Sequence, residues 1–216
     1  MSLNTGFNPE KVYESLKGVQ NAYNDLCDAI GPRLQTKFVN YMSENWACDE
    51  AQKFFKKAET KVNVDLRKEI DKIFLSVNES MNAAGARWAA DTGNSGVFSK
   101  VAFAISGARI SSDVIKENIA GVRGINVGCD GEAASRLSAT VQDADKALND
   151  AIRAVASAGF LGGGQQAALS ASLNKIKTNI TNESNDLKNA LKESISATTG
   201  KYTSTASTIT DAFTGK

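Results

Sequence analysis

The sequence predicts an all-α fold: two long helical hairpins packed as an antiparallel four-helix bundle, with short extra helices in the middle segment. Only 2 of the 216 residues are Pro, the residue that interrupts helices most strongly. In four long stretches, apolar residues recur every three or four positions, which is the spacing of one helix face. The two halves of the chain also repeat one pattern. Because a single hairpin leaves its apolar face uncovered, we expect the two copies to share one core.

The first predicted helix begins at Asn8, with Pro9 and Glu10 in its first turn. Asn is a favourable N-cap, Pro fits the first helical position, and an acidic residue is stabilised by the positive end of the helix dipole. The apolar stripe continues to Tyr41 and keeps its phase across Gly31-Pro32. We therefore predict a kink or a short break at these two residues and no domain boundary.

The second predicted helix follows a turn over residues 44–48 and carries Asp49 and Glu50 in its first turn, where the helix dipole favours negative charge. It ends before residues 93–96, which read Gly-Asn-Ser-Gly. Such a cluster of small and polar residues is typical of a loop between two structural units. We therefore expect the first hairpin to end there.

The middle segment is expected to form short helices over residues 97–105 and 110–122, interrupted by glycines. The third long helix is predicted over residues 131–158, and the fourth ends near Gly200. The chain is thereby divided into a first helical hairpin (1–93), an irregular connector with short helices (94–128), a second helical hairpin (129–202) and a mobile tail rich in Ser, Thr and Gly (203–216).

An internal repeat relates the two hairpins. Moving the second half of the chain back by 114 residues aligns the apolar stripes of both helices without a gap. The same shift matches Phe160 with Trp46 in the turn, and Tyr202 with Trp88 beyond the second helix. A single shift thus aligns two helices, the aromatic residue in the turn and the aromatic residue beyond the second helix. This agreement predicts a duplicated hairpin. Because fusion makes the pairing of the copies intramolecular, we expect a monomer that is internally a pseudo-dimer.

The composition argues against catalysis, metal binding and nucleic-acid binding. The formal net charge is +1, whereas a nucleic-acid-binding domain carries a basic excess on one face. The chain has three Cys and no His, so a zinc site lacks its usual ligands and a Ser or Cys nucleophile lacks its usual base. The three glycines at 162–164 lack the Lys-Ser/Thr and the strand of a phosphate loop. We expect no enzyme activity, no metal and no cofactor.

The N-terminus and the apolar stretches give no targeting signal. The N-terminus has neither the basic region nor the apolar run of a signal peptide. The most apolar short stretch, residues 97–105, contains Lys100 and is far shorter than the ~20 residues that span a bilayer. We therefore expect a soluble protein without a cleaved signal peptide.

The two turns read Trp46-Ala47-Cys48 and Phe160-Leu161-Gly162. A helix, a turn with Trp-x-Gly, a second helix and then an aromatic residue resemble the WXG-motif proteins, helical hairpins that pair antiparallel into four-helix bundles. Those proteins are substrates of the type VII (ESX) secretion system of Gram-positive bacteria and mycobacteria. In this chain Cys48 stands in the Gly place of the first motif and Phe160 in the Trp place of the second, so the two halves share the motif between them.

The resemblance implies roles for six residues. Trp46, Cys48, Phe160 and Gly162 form the turn motif, and the two aromatics are expected to wedge into the bundle; an ordinary packing role predicts the same burial. The family's export signal is Tyr-x-x-x-Asp/Glu after the second helix. Trp88 and Tyr202 occupy its Tyr position, but Thr92 and Ala206 stand where the acidic residue belongs.

The resemblance also implies a function. It implies a secreted type VII secretion substrate, connected with virulence, that acts by protein binding rather than catalysis and whose protein partners include a secretion ATPase. Two alternatives stay open: a cytoplasmic or structural helical-bundle interaction module, and a membrane-active helical toxin that inserts residues 97–105. Contact with a membrane therefore stays open as well.

Overall fold

The computed structural model describes residues 8–93, 96–159 and 164–214. These residues are predominantly helical, which confirms the all-α prediction. The long helices are α1 (residues 9–45), α2 (residues 49–91), α3 (Cys129–Ala156) and α4 (Gly164–Thr214). Two short strands, β1 (Trp46–Ala47) and β2 (Gly124–Ile125), pair antiparallel.

Helix α1 starts as the sequence predicts. The side chain of Asn8 accepts a hydrogen bond from the backbone N–H of Lys11 at 3.1 Å, and Pro9 is the first helical residue. This cap satisfies one of the backbone donors that a helix start leaves without a partner.

Both helices of the first hairpin contain π-helical turns. Helix α1 consists of Pro9–Asp28, the π turns Ala29–Arg33 and Gln35–Val39, and Asn40–Asn45; helix α2 consists of Asp49–Thr60, the π turn Lys61–Leu66, and Arg67–Asp91. Pro32 lies inside the first π turn. Because Pro has no N–H to donate, a wider turn accommodates it while the helix continues. The predicted kink or break at Gly31-Pro32 therefore takes the form of a local widening.

The four helices contact one another along their lengths. The contacts are Tyr23–Phe74 and Phe38–Phe55 between α1 and α2, Ser15–Ser157 and Lys37–Asp143 between α1 and α3, Gln166–Ala156 and Lys177–Asp145 between α3 and α4, and Lys61–Glu183 and Lys175–Glu69 between α2 and α4. This arrangement gives the described residues a helical-bundle character.

Two ion pairs between α2 and α4 are related by the 114-residue shift. Lys61 Nζ lies 3.1 Å from Glu183 Oε1, and Lys175 Nζ lies 3.6 Å from Glu69 Oε1. Lys175 is the shifted counterpart of Lys61, and Glu183 is the shifted counterpart of Glu69. Each half thus offers the same Lys and the same Glu to the other half, which is the contact pattern of a two-fold symmetric interface.

The core consists of two clusters that follow one another along the helices. The Tyr23 cluster includes Leu16, Tyr23, Ile30, Leu66, Phe74, Ala144, Leu148, Leu173 and Ile180. The Trp46 cluster includes Leu34, Phe38, Trp46, Phe55, Ile115, Leu137, Leu191 and Ile195. Both clusters draw on all four helices, so neither hairpin has a core of its own.

The middle segment differs from the prediction. The described residues 96–128 contain no helix, so the prediction of short helices over 97–105 and 110–122 is wrong. Three amide side chains of α1 and α2 hold the connector. Each donates a hydrogen bond to the carbonyl of one connector residue and accepts one from the N–H of the same residue. The pairs are Gln20 with Ala104, Asn63 with Ile110, and Asn82 with Val101. Because these amides satisfy the connector's peptide groups, the segment needs no helical hydrogen bonds of its own.

The last helix also differs from the prediction. Helix α4 passes the predicted end near Gly200 and continues to Thr214, through most of the segment predicted as a mobile tail, 203–216. Extending an existing helix requires no new nucleus. In addition, Thr hydroxyls in this stretch donate to the carbonyl four residues earlier, as Thr205 does to Lys201 at 2.9 Å. The Thr-rich composition that suggested a tail is therefore accommodated in a helix.

Candidate functional site

The turn between α1 and α2 is built around a completely buried Trp46. Its ring lies 5.7 Å from the ring of Phe54 and 6.4 Å from that of Phe55, and Phe55 lies 5.5 Å from Phe38 of α1. Aromatic pairs at these distances add stability beyond the burial of their surface. The indole Nε1 is buried and has no hydrogen-bond partner among the described residues. Trp46 thus packs in the core against the aromatic residues of α2.

Cys48, which stands where the motif has Gly, is a buried side chain at the start of α2. Its backbone φ is −173°, an extended conformation that any residue adopts. Gly is therefore not required by the backbone at this position. Burial raises the pKa of the Cys48 thiol, so the thiol is held in its neutral form and is not activated as a nucleophile.

The connector closes over this turn. Strand β2 pairs with β1, with Ile125 opposite Trp46. Next to it, Asn126 donates from its backbone N–H to the carbonyl of Asn45 at 2.9 Å, and its side chain donates to the Asn45 side chain at 2.9 Å. These bonds fix the end of the connector against the end of α1.

The far part of α4 reaches the same turn. Lys201 Nζ lies 2.9 Å from Glu50 Oε1, and this hydrogen bond, followed by those from the Glu50 backbone and the Cys48 thiol, lowers the pKa of Glu50 to about 2. Tyr202 is half-buried beside them, and its pKa is raised by burial first and then by Cys48 and Glu50. The structure therefore brings Tyr202 of the second hairpin to the Trp46 turn of the first.

Among the other predicted site residues, Trp88 lies away from the Trp46 turn. Trp88 is half-buried against the Tyr23 cluster, near the end of α2. That cluster contains Val12 and Leu16 from the first turns of α1, and Trp88 is not part of the Trp46 cluster. Phe160 and Gly162 lie outside the described residues.

Residues 97–105, the segment that suggested membrane insertion, are held against α1 and α2. Phe98 is buried, with its ring 5.1 Å from that of Tyr13, and the ring of Phe103 lies 4.8 Å from that of Tyr23. Across the described residues, no helix combines the length and the apolarity that a membrane span requires.

The sequence patterns missed a polar network around Arg67. Its guanidinium donates to Asp71 (2.7 Å), to the Ala108 carbonyl (2.8 Å), to the Tyr23 hydroxyl (3.0 Å) and to the Ser106 carbonyl. The Tyr23 hydroxyl donates to Asp71 at 2.6 Å, and burial followed by this bond raises the pKa of Tyr23 to about 12. No sequence signal pointed to this network, because an Arg and an Asp one turn apart also fit an exposed helix face.

Comparison of the chain with protein-family models, with curated proteins and with solved structures finds no match. The part of the chain that the structure describes also contains no group of three or more His, Cys, Asp or Glu placed to hold a metal ion.

Proposed function

We propose that this chain is a tandem WXG-type protein whose two hairpins pack as one antiparallel four-helix bundle, a pseudo-dimer within a monomer. It is a type VII secretion substrate, exported without a cleaved signal peptide, and it acts by binding proteins rather than by catalysis. Its partners are proteins, including the secretion ATPase, and not nucleic acids.

The observation that carries this proposal is the reciprocal pair of contacts, Lys61 with Glu183 and Lys175 with Glu69. A chance similarity between two amphipathic patterns gives no reason for the same Lys and Glu to meet twice across the two halves. Two copies of one hairpin related by a two-fold axis require it. The pattern supports a duplicated hairpin, which is the layout that resembles a fused WXG pair.

The meeting of Tyr202 with the Trp46 turn supports a binding surface composed of both hairpins. The Glu50–Lys201 ion pair joins the start of α2 to the far part of α4. A partner that docks at this end of the molecule would contact the turn and the C-terminal part of α4 together. Such a surface exists only when the two hairpins are packed together, so a partner that binds there binds the folded protein and not the unfolded chain.

Export is the direct test. The full chain is expressed in a strain with a working type VII system and in the same strain without the secretion ATPase, and the medium and the cells are assayed separately. We expect the protein in the medium of the first strain only. Equal amounts in both media, or retention in the cells of both, would contradict the proposal, and retention would favour the cytoplasmic interaction module.

A pair of variants links export to the surface. Tyr202→Ala removes the half-buried aromatic next to the turn, while Thr205→Ala removes an exposed hydroxyl on the same helix. We expect Tyr202→Ala to lower export at unchanged cellular level and helicity, and Thr205→Ala to leave export unchanged. Export of both variants at the wild-type level would remove Tyr202 from the proposal.

The pseudo-dimer is tested by charge reversal. Lys61→Glu places two acidic groups together, and adding Glu183→Lys restores an ion pair in the opposite sense. Because these side chains are partly exposed, we expect a loss of less than about 1 kcal/mol in the single variant and its recovery in the double variant, measured by urea unfolding. Sedimentation should give a monomer; an obligate dimer would show that the hairpins pair between chains.

A further inference from the structure

A cavity of about 350 Å³ lies in the middle of the molecule, where the Tyr23 cluster meets the Trp46 cluster. All four helices contribute to its wall, which is formed mainly by aliphatic side chains such as Ile30, Leu66, Leu137, Ala144 and Ile180. Protein interiors are normally packed without voids of this size, and pockets for small molecules begin at about 300 Å³. The cavity is thus large enough for a ligand.

The helices widen where they border this cavity. Ile30 belongs to the π turn Ala29–Arg33 of α1, and Val62 and Leu66 belong to the π turn Lys61–Leu66 of α2. Single π turns inside α-helices occur frequently at functional sites. Two of them, one in each helix of the first hairpin, border one cavity, which indicates that this hairpin is shaped around the space.

One polar group in the wall has no partner. Ser184 lines the cavity, its residue is 6% exposed, and its hydroxyl is buried without a hydrogen bond to any described residue. Other hydroxyls of α4, such as those of Ser172 and Thr181, donate to the carbonyl four residues earlier. A buried hydroxyl that makes no such bond is uncommon and calls for a partner in the space it faces.

The charges at the cavity are balanced and lie at its rim. Lys57 and Lys61 of α2 face Glu183 and Asp186 of α4, and Lys61 pairs with Glu183 at 3.1 Å. The remaining wall residues carry no charge. Because an ion without a buried counter-charge is costly to desolvate, the cavity favours a neutral ligand over a carboxylate or an amine.

We propose that this cavity binds a neutral, mainly aliphatic molecule with a single hydroxyl or carbonyl group, which forms a hydrogen bond with Ser184. At about 30 Å³ for each non-hydrogen atom, the volume that one water occupies in the liquid, the cavity holds a ligand of about ten such atoms. This ligand site borders the Trp46 turn through Phe54, but Trp46, Glu50 and Tyr202 do not line it. It does not depend on export, so its failure would leave the proposed function untouched.

The probe is 1-octanol, added to the full-length chain and followed by amide chemical shifts in NMR spectra. We expect saturable shifts centred on Ser184 and Ala144. Ser184→Ala should weaken binding about threefold to tenfold, the effect of one hydrogen bond. The matched control Ser172→Ala, an exposed position on the same helix, should bind like the wild type. Octanoate, the charged counterpart, should bind at least about tenfold more weakly than 1-octanol.

The outcomes decide the proposal. If the wild-type chain shows no saturable shifts, the ligand site does not exist. If the Ser184→Ala variant binds 1-octanol with the affinity of the wild type, the hydrogen bond with Ser184 does not exist. If octanoate binds more tightly than 1-octanol, the preference for a neutral ligand is wrong. Ala144→Leu fills the cavity and should abolish binding while the dispersion of the spectrum is kept. If this variant fails to fold, the comparison of Ser184→Ala with Ser172→Ala still decides the role of the hydroxyl.

Discussion

The Arg67→Met substitution removes the guanidinium that joins α1, α2 and the connector, while it keeps most of the aliphatic stem. The lost hydrogen bonds are those to Asp71, to the Tyr23 hydroxyl and to the carbonyls of Ser106 and Ala108. Asp71 then loses its cationic partner and keeps the hydrogen bond from the Tyr23 hydroxyl. Two connector carbonyls lose the bond from Arg67, and only that of Ala108 keeps another donor, Arg109. We expect the connector to loosen and the whole protein to lose stability.

The expected magnitude follows from burial. The Arg67 side chain is 3% exposed and that of Asp71 is 23% exposed. Breaking a buried ion pair by removing one partner costs about 3–5 kcal/mol. Because Asp71 retains some access to water, we expect the lower end, about 3 kcal/mol, which corresponds to a fall in Tm of about 6–12 °C for a chain of this size.

Urea unfolding monitored by circular dichroism measures the loss, and hydrogen exchange at the Ser106 amide measures the loosening of the connector. Lys68→Met, at the exposed neighbouring position, is the control and should change stability by less than about 0.5 kcal/mol. A loss below about 1 kcal/mol in Arg67→Met, or unchanged exchange at Ser106, would refute the view that this network holds the connector to the helices.

Two further predictions concern helix packing and pH. A Cβ at Gly18 would lie 2.9 Å from Ala154 Cβ, whereas a Cβ at Gly200 would meet nothing within 4 Å. Gly18→Ala should therefore destabilise the protein by about 1 kcal/mol, after its better helix propensity is included. Gly200→Ala should stabilise the protein by up to about 1 kcal/mol, and urea unfolding measures both effects. The pKa of Glu50 is lowered from 4.5 to about 2, so the Glu50 carboxylate stabilises the protein above pH 4.5, and this contribution is lost as the pH falls from 4.5 through 2.

The pH prediction is measured against Glu50→Gln, which cannot titrate. Because the Glu50 side chain is 41% exposed, the difference in unfolding free energy between wild type and variant should stay below about 1 kcal/mol at pH 7 and vanish only below pH 2. An undiminished difference below pH 2 would contradict the assigned ion pair with Lys201. For the glycine pair, equal effects of Gly18→Ala and Gly200→Ala would contradict the close contact between α1 and α3.

Part of the candidate site could be predicted from sequence. The position of Trp46 at the end of the first helix, the acidic start of α2 and the turn over residues 44–48 follow from apolar spacing and from capping chemistry, which act over one helical turn. The approach of Tyr202 to Cys48 could not be predicted in the same way. The two residues are far apart in the chain, and only the packing of α4 against α2 brings them together.

The sequence by itself determined the four long helices, except for the continuation of α4 to Thr214, and the 114-residue spacing of the repeated pattern. Helix periodicity is a local property, and each apolar stripe carries it independently. The conformation of residues 96–128 was decided by tertiary structure, since Gln20, Asn63 and Asn82 satisfy its backbone from other helices. The same holds for the cavity beside Ser184 and for the reciprocal ion pairs between α2 and α4. A sequence pattern shows which face of a helix is apolar, but the partner that covers this face, and any space left between them, exists only in the packed molecule.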